Sequence, residues 1–438
     1  MAAPREAIPL TQADITTPRL SGERFEAVYR IRAAGEAAAE ARARSICVEQ
    51  TVEFPPELIT NDSIRDGVVG ETASLVKLES DRFEAVIRYP VEAAGAELTQ
   101  LINVLFGNVS IQPGIQLADF SLPASMLRQY RGPRFGIDGL RELTGARHRP
   151  LLCTALKPMG LTASALAELA YQLALGGIDL IKDDHGLADQ AFCPFDERVA
   201  RCAQAVRRAN HESGLQARYL PNVTAPFNDI MRRAERARDA GAGGLLFCPG
   251  LAGFDAMHTL ADDDALALPI LSHPAFQGSF AVAADSGLSH RVLYGRLNRL
   301  AGADAAIFPH FAGRFAYSET ECRDIVIGCT APMTGSEWRA TDAVDNRLGH
   351  GSRQRSVDRS SQGPERVRSS IPGGNAGLAP ILPVPAGGMR LERIDELVRF
   401  YGRDCMLLIG GDLHARPSDL VGSCQQFQQL VESAANAF

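Results

Sequence analysis

From about residue 151 onward the chain alternates short apolar runs with longer stretches of helical period, and no other feature restricts its fold as strongly. Eight runs qualify as strands: LLCTAL at 151–156, IDLIK at 178–182, ARYLPN at 217–222, GLLFC at 244–248, LPILSH at 268–273, AAIF at 305–308, ILPVP at 381–385 and CMLLI at 405–409. Between them lie helices with readable faces. Leu166, Leu169, Ala170 and Leu173 follow the first run at spacings of three, four and seven. Val199, Cys202, Ala203 and Val206 repeat the pattern, as do Ile394, Leu397, Val398 and Tyr401, with Arg and Glu on the opposite faces. Eight such units predict an α/β fold with a C-terminal TIM (β/α)8 barrel. An open doubly wound sheet would show the same strand count.

Residues 1–140 follow another pattern. FEAVYRIRA, ICVEQTVEF, ASLVKL and FEAVIRYP are strand candidates around an Ala-rich helix at 33–45 and another near 95–106. They predict a small N-terminal α+β domain of ferredoxin-like type, with the Arg-Gly-Pro stretch at 131–133 leading to a barrel domain over 141–438. One segment breaks the barrel rhythm. Residues 334–377 hold seven Ser, seven Gly and seven Arg against five Val, Leu or Ile, and include the only tryptophan, Trp338. Too little apolar surface is available there to offset the entropy of ordering, so a disordered insertion is expected, opposite the catalytic face of the barrel.

Composition narrows the function classes. Across 438 residues, 45 basic and 52 acidic side chains leave a net charge of −7, which lacks the basic field of a nucleic-acid binder. No run of 18 apolar residues offers a membrane span, and MAAPREAIPL lacks a signal-peptide core, so a cytoplasmic protein is expected. Nine cysteines, with no CxxC pair, read as buried reduced thiols rather than a zinc or disulfide framework.

A barrel builds its active site at the C-terminal ends of its strands. Those ends carry Lys157, then Lys182, Asp183, Asp184 and His185, then Asn222, His273, His310 and Arg314, and finally the pairs Gly387–Gly388 and Gly410–Gly411. Glycine pairs after the seventh and eighth strands let backbone N–H groups approach a phosphate, although tight turns alone would also use them. In KDDH, strand alternation puts Lys182 and Asp184 on one side and Asp183 on the other. A lysine beside carboxylates is ordinarily an ion pair. Its neutral amine can instead take up carbon dioxide, and the resulting carbamate, with Asp184, could hold a hard cation such as magnesium.

The runs CTALKPMGL, GGIDLIKDDHG, LPILSHPAF, PAGGM and LLIGGDL, in that order, resemble the large subunit of RuBisCO and more closely the RuBisCO-like proteins. The similarity extends to CVEQTVE and FGN near the N-terminus. It implies a homodimer with shared active sites, in which the N-terminal domain of one subunit completes the barrel site of the other. By position it implies that Lys182 is the carbamylated lysine and that Asp184 and His185 occupy the other metal-ligand positions. It implies further that Lys157 moves protons during enolisation and that His273 is the barrel histidine of the site. Gly387, Gly388, Gly410 and Gly411 match phosphate-binding glycines, while Glu49 and Asn108 match the neighbouring domain's contribution.

The departures from RuBisCO point away from carboxylation. His185 stands where the third metal-ligand glutamate is expected, so magnesium, the first expectation, competes with manganese and other transition metals. Pro274 replaces an arginine that helps hold a second phosphate, Met159 lies where a second lysine is lost, and Ala386 replaces a serine. Gly313 and Arg314 replace the glycine and lysine of the loop after strand six, and a planar guanidinium is no substitute for a mobile ammonium. The expectation is an enzyme acting on a monophosphorylated, sugar-derived keto compound through a metal-stabilised enediolate. Decarboxylation of a 3-oxo sugar-acid phosphate (3-oxoisoapionate 4-phosphate type) comes first, because Arg314 could pair a substrate carboxylate bidentately. The alternatives are isomerisation of methylthioribulose phosphate and enolisation of a diketo-methylthiopentyl phosphate, which would ask for an apolar wall. Two other classes stay open: a Schiff-base aldolase working through Lys182, and a non-catalytic binding protein.

Overall fold

A computed structural model of the chain describes residues 19–334, 377–415 and 419–437. The expected insertion, Trp338 included, lies outside the described residues except for its end positions 334 and 377. The chain divides into two compact units, Met1–Phe120 and Ser121–Phe438.

In the first unit, strands β1 (Arg24–Arg32), β2 (Glu71–Glu79), β3 (Arg82–Pro90) and β4 (Ile115–Ser121) lie in the order β4-β1-β3-β2, and β1 and β2 each run antiparallel to β3. Period-two patterning builds one face. Phe25, Ala27, Tyr29 and Ile31 stand opposite Tyr89, Ile87, Ala85 and Phe83, and all eight are buried. Tyr29 donates its hydroxyl to the Leu105 carbonyl at 2.6 Å, which ties the helix Leu98–Phe106 to the sheet. The strand expected at ICVEQTVEF does not form. Its first residues instead finish the helix Glu36–Glu49, where Ala39, Ala43, Ile46 and Cys47 make one buried stripe, so 3.6-residue periodicity prevails over local β propensity. Strand β4 was not legible beforehand because it is buried on both faces and shows no alternation.

In the second unit, all eight expected runs form strands: β5 (Leu151–Leu156), β6 (Leu180–Asp183), β7 (Arg218–Leu220), β8 (Leu245–Phe247), β9 (Ile270–Ser272), β11 (Ala305–Pro309), β12 (Leu382–Ala386) and β13 (Met406–Leu408). A two-residue strand β10 (Gly287–Leu288) lies between β9 and β11 in the chain. The eight make two parallel four-stranded sheets, ordered β13-β5-β6-β7 and β12-β11-β9-β8. A parallel bridge pairs Asn222, two residues beyond β7, with Leu246 of β8. One apolar cluster takes residues from every one of these strands, including Leu151, Leu180, Leu220, Leu246, Leu271, Ile307, Val384 and Met406.

The division at Phe120 falls about twenty residues before the boundary expected at 140. The reason is packing: Ile137, Leu140 and Ala146 belong to the strand core. Asp304, at the entrance of β11, accepts the Phe135 and Gly136 N–H groups at 2.6 and 2.8 Å and the Ile270 N–H at 2.9 Å. Among the described residues all nine cysteines are buried and free, and no helix is long and apolar enough to cross a membrane.

Candidate active site

Strand β6 is short, and its alternation sends adjacent side chains to different tasks. Asp183 points outward and is fully buried, accepting Arg198 Nε at 3.1 Å, the Tyr219 hydroxyl at 2.8 Å and the Asn222 N–H at 3.0 Å. It anchors the strand to the helix Phe195–Ser213 and to β7. Lys182 is 2 % exposed and donates to the Asp183 carbonyl at 3.0 Å. Burial pushes its amine below the ordinary lysine range, and the charge of Lys157 adds to the shift, while Cys153 and Asp184 oppose it. Asn222 secures the turn that follows, its amide donating to the carbonyls of His185 and Leu187 at 3.0 Å each.

Asp184 is the hub. One oxygen accepts Lys157 Nζ at 3.1 Å, and the other faces the backbone N–H and Nδ1 of His185, both at 3.1 Å. Burial alone would raise its pKa, yet the hydrogen bonds from His185 and Lys157, with the charges of Lys157 and Lys182, hold the carboxyl well below the usual range. The His185 ring stacks on His273, with centroids 4.3 Å apart and planes at 14°. Burial and the nearby charge of Lys182 push the His273 imidazole down to about 2, so it is neutral. Its Nδ1 accepts the Ala275 N–H at 3.1 Å, which leaves the proton on Nε2. The structure thus gathers Lys157, Lys182, Asp184, His185 and His273 at the ends of β5, β6 and β9.

The glycines expected to bind phosphate are of two kinds. Gly387 and Gly388 have φ of +96° and +102°, and a Cβ on Gly387 would come within 2.9 Å of the Phe315 ring. Positive φ and crowding therefore both require glycine there. At Gly410 and Gly411 a Cβ would meet nothing within 4 Å, so open space rather than packing surrounds that backbone. The loop after β11 is tied to the one after β12 by the Arg314 N–H, which donates to the Gly387 carbonyl at 2.8 Å. The Arg314 side chain is exposed, lies 4.8 Å over the Phe315 ring and makes no ion pair among the described residues. Glu49 and Asn108 belong to the first unit, where the Asn108 amide donates to the Glu49 carboxylate at 3.0 Å.

Two features escaped the sequence reading. His414, at the end of the short helix Gly411–His414 that follows β13, is lowered by burial and by the charge of Lys157 while a hydrogen bond with the Ala155 backbone opposes the shift, so it lies near Lys157. Its only sequence signal is its position three residues after Gly411. The loops after β5, β6, β9 and β11 also expose apolar side chains: Met159, Phe192, Phe276, Phe280 and Phe315. A Cβ on Gly186 would lie 2.4 Å from the Met159 methyl, so that thioether covers the residue next to His185.

For a divalent cation, the donors present are one carboxylate and one imidazole. Among the described residues no three His, Cys, Asp or Glu side chains group to hold a metal ion. Lys182 would complete a set of three only as a carbamate, and its buried, lowered amine fits that conversion because only the neutral amine adds carbon dioxide.

The chain is similar to known proteins over most of its length. The ribulose bisphosphate carboxylase large chain catalytic domain matches residues 136–315. Ribulose bisphosphate carboxylase-like protein 1 of Rhodopseudomonas palustris is 39% identical over 411 residues, covering 94% of this chain and 98% of its own. The 5-methylthioribulose-1-phosphate isomerase of Rhodospirillum rubrum is 35% identical over 415 residues, with 94% and 98% covered. The crystal structure of a Rubisco-like protein from Rhodopseudomonas palustris superposes with a TM-score of 0.75 at 38% identity, covering 94% of this chain and 98% of that one.

Proposed function

This chain belongs to the RuBisCO large-chain family, beside its RuBisCO-like members, and from that premise we propose that it transfers a proton at a carbon next to a carbonyl of a small phosphorylated keto compound. The substrate class is that of the methylthiopentulose phosphates, and isomerisation through an enediolate is the reaction. The second unit is then a closed (β/α)8 barrel and the first a ferredoxin-like domain, working as a homodimer with shared sites in which Glu49 and Asn108 serve the barrel of the other subunit.

The observation that carries this reading is Lys157 Nζ held 3.1 Å from Asp184, beside the buried Lys182. Lys157 Nζ, beside Asp184, is the group that takes and returns the substrate proton. Neutral His273, with Nδ1 occupied, offers its Nε2–H to a substrate oxygen. Gly387, Gly388, Gly410 and Gly411 receive the phosphate with backbone N–H groups. A divalent cation on Asp184, His185 and carbamylated Lys182, magnesium or manganese, would supply Lewis-acid stabilisation of the enediolate oxygens when bound. Met159 and Phe315 give an apolar tail a wall that a sugar acid would not use.

The test is solvent exchange. With 5-methylthioribulose 1-phosphate in D2O, bicarbonate and magnesium or manganese, proton NMR should show loss of the carbon-bound proton, and Lys157→Ala should slow it by about 10²-fold or more. Absence of exchange by the wild type removes the proposal. Decarboxylation of a 3-oxo sugar-acid phosphate stands as the second reading, because the exposed Arg314 guanidinium has no carboxylate partner among the described residues. That reading fails if Arg314→Ala leaves decarboxylation kinetics untouched.

A further inference from the structure

A cavity of about 490 Å³ opens at the N-terminal ends of β5, β6 and β7, at the opposite end of those strands from Lys157 and Asp184. Its volume falls in the range of about 300–1,000 Å³ typical of small-molecule sites. Its walls come from Thr144–Arg149, Gly177–Asp179, Gly214–Ala217 and the helix Leu420–Asn436. Three of the turns that shape it use glycines at positive φ, Gly145, Gly177 and Gly214, so the backbone rather than side chains sets its outline.

A balance of donors and acceptors identifies what would fill it. The floor is self-neutralised: Arg149 grips Asp179 with two nitrogens at 2.6 and 2.9 Å, and its Nε lies 3.6 Å from Glu432. Glu432 also accepts the Gln428 amide at 2.9 Å. Helix ends reaching the cavity would favour a cation through their free carbonyls, but arginines already satisfy carbonyls at the ends of the helices Gly136–Thr144 and Leu420–Asn436. Leu143 is capped by Arg218, Ala146 by Arg141 and Ala435 by Arg403. Beside them stand donors without partners. Among the described residues the Arg147 guanidinium and the His148 ring have no hydrogen-bond or charge partner, and both line the opening. The side-chain amides of Gln216 and Asn436, also unpartnered among the described residues, stand beside them. In a chain of net charge −7, the unpaired Arg147 guanidinium at this cavity is a local positive spot.

We infer that this cavity binds a small organic or inorganic anion carrying a phosphate or carboxylate group, which accepts from Arg147 and His148 and takes further hydrogen bonds from Gln216 and Asn436. The planar fork of Arg147 suits either oxyanion bidentately. The site is separate from the catalytic loops, so the ligand is an effector or stabiliser and not the substrate.

Titration calorimetry with inorganic phosphate tests this on the full-length protein without any turnover, so its outcome does not depend on the reaction proposed above. Wild-type protein should show a phosphate site additional to any at Gly387, Gly388, Gly410 and Gly411, weakened by added salt and at least about ten-fold weaker or absent in the Arg147→Gln/His148→Gln double variant, which leaves those glycines intact. Both residues are exposed and unpartnered, so the variant's melting temperature without phosphate, and its solvent-exchange rate, should match wild type. Should the double variant not fold, Gln216→Trp, which fills the mouth without removing charge, takes its place. An isotherm unchanged by the substitution overturns the inference. A parallel titration with succinate separates sources: binding of phosphate alone selects a phosphate ester, and binding of both selects any small oxyanion.

Discussion

Lys182 and Asp183 are neighbours in sequence and buried to the same degree, yet their side chains do opposite work. Asp183 balances the buried guanidinium of Arg198, so Asp183→Ala leaves a desolvated cation without its partner and should cost about 3–5 kcal/mol of stability in urea unfolding. An unchanged denaturation midpoint would show that the pair holds nothing together. Lys182 makes a single hydrogen bond, to a carbonyl, and sits where burial disfavours its charge. Lys182→Met should therefore melt no lower than wild type while losing bicarbonate-dependent uptake of magnesium or manganese. Equal uptake by the two proteins would end the carbamate model. The alternation of a strand, read from KDDH, already separates these roles, because no other backbone geometry sends adjacent residues to opposite faces.

At the scale of elements, Asp304 joins β9, β11 and the helix Gly136–Thr144 through three backbone N–H groups. Burial raises its carboxyl from 3.8 to about 6, against the pull of those hydrogen bonds. An acid whose folded pKa lies above its unfolded one contributes stability that is fully present below the unfolded value and is lost as pH rises through the folded one. Between pH 4 and 7 the wild type should lose up to about 3 kcal/mol relative to Asp304→Asn, measured as the difference between their unfolding free energies. A pH-independent difference would mean that Asp304 titrates alike in both states. This contact also holds residues 135–136 to the second unit, and no pattern in residues 121–140 announces it. The misread strand at ICVEQTVEF has a similar origin: Ile46 and Cys47 are β-type residues whose place is decided by the stripe that Ala39 and Ala43 begin three to eight residues earlier.

For the whole molecule, the proposed homodimer gives a complementation test. Lys157→Ala removes a second-unit group and Asn108→Ala a first-unit group, so each variant alone should lack exchange activity while mixed dimers regain one intact site. No recovery on mixing would place both residues in the service of one chain. Eight apolar runs and their intervening helical faces determined by themselves that this chain makes parallel β/α units, and the order of its motifs determined the family, because both are written in short, contiguous spacings. Only tertiary structure brought His414 near Lys157, stacked His185 on His273, exposed Met159 and Phe315 in the loops after β5 and β11, and opened a cavity at the far ends of the strands. Those features join residues far apart in the chain, and the burial that lowers Lys182 and neutralises His273 exists only once every strand has contributed to one core.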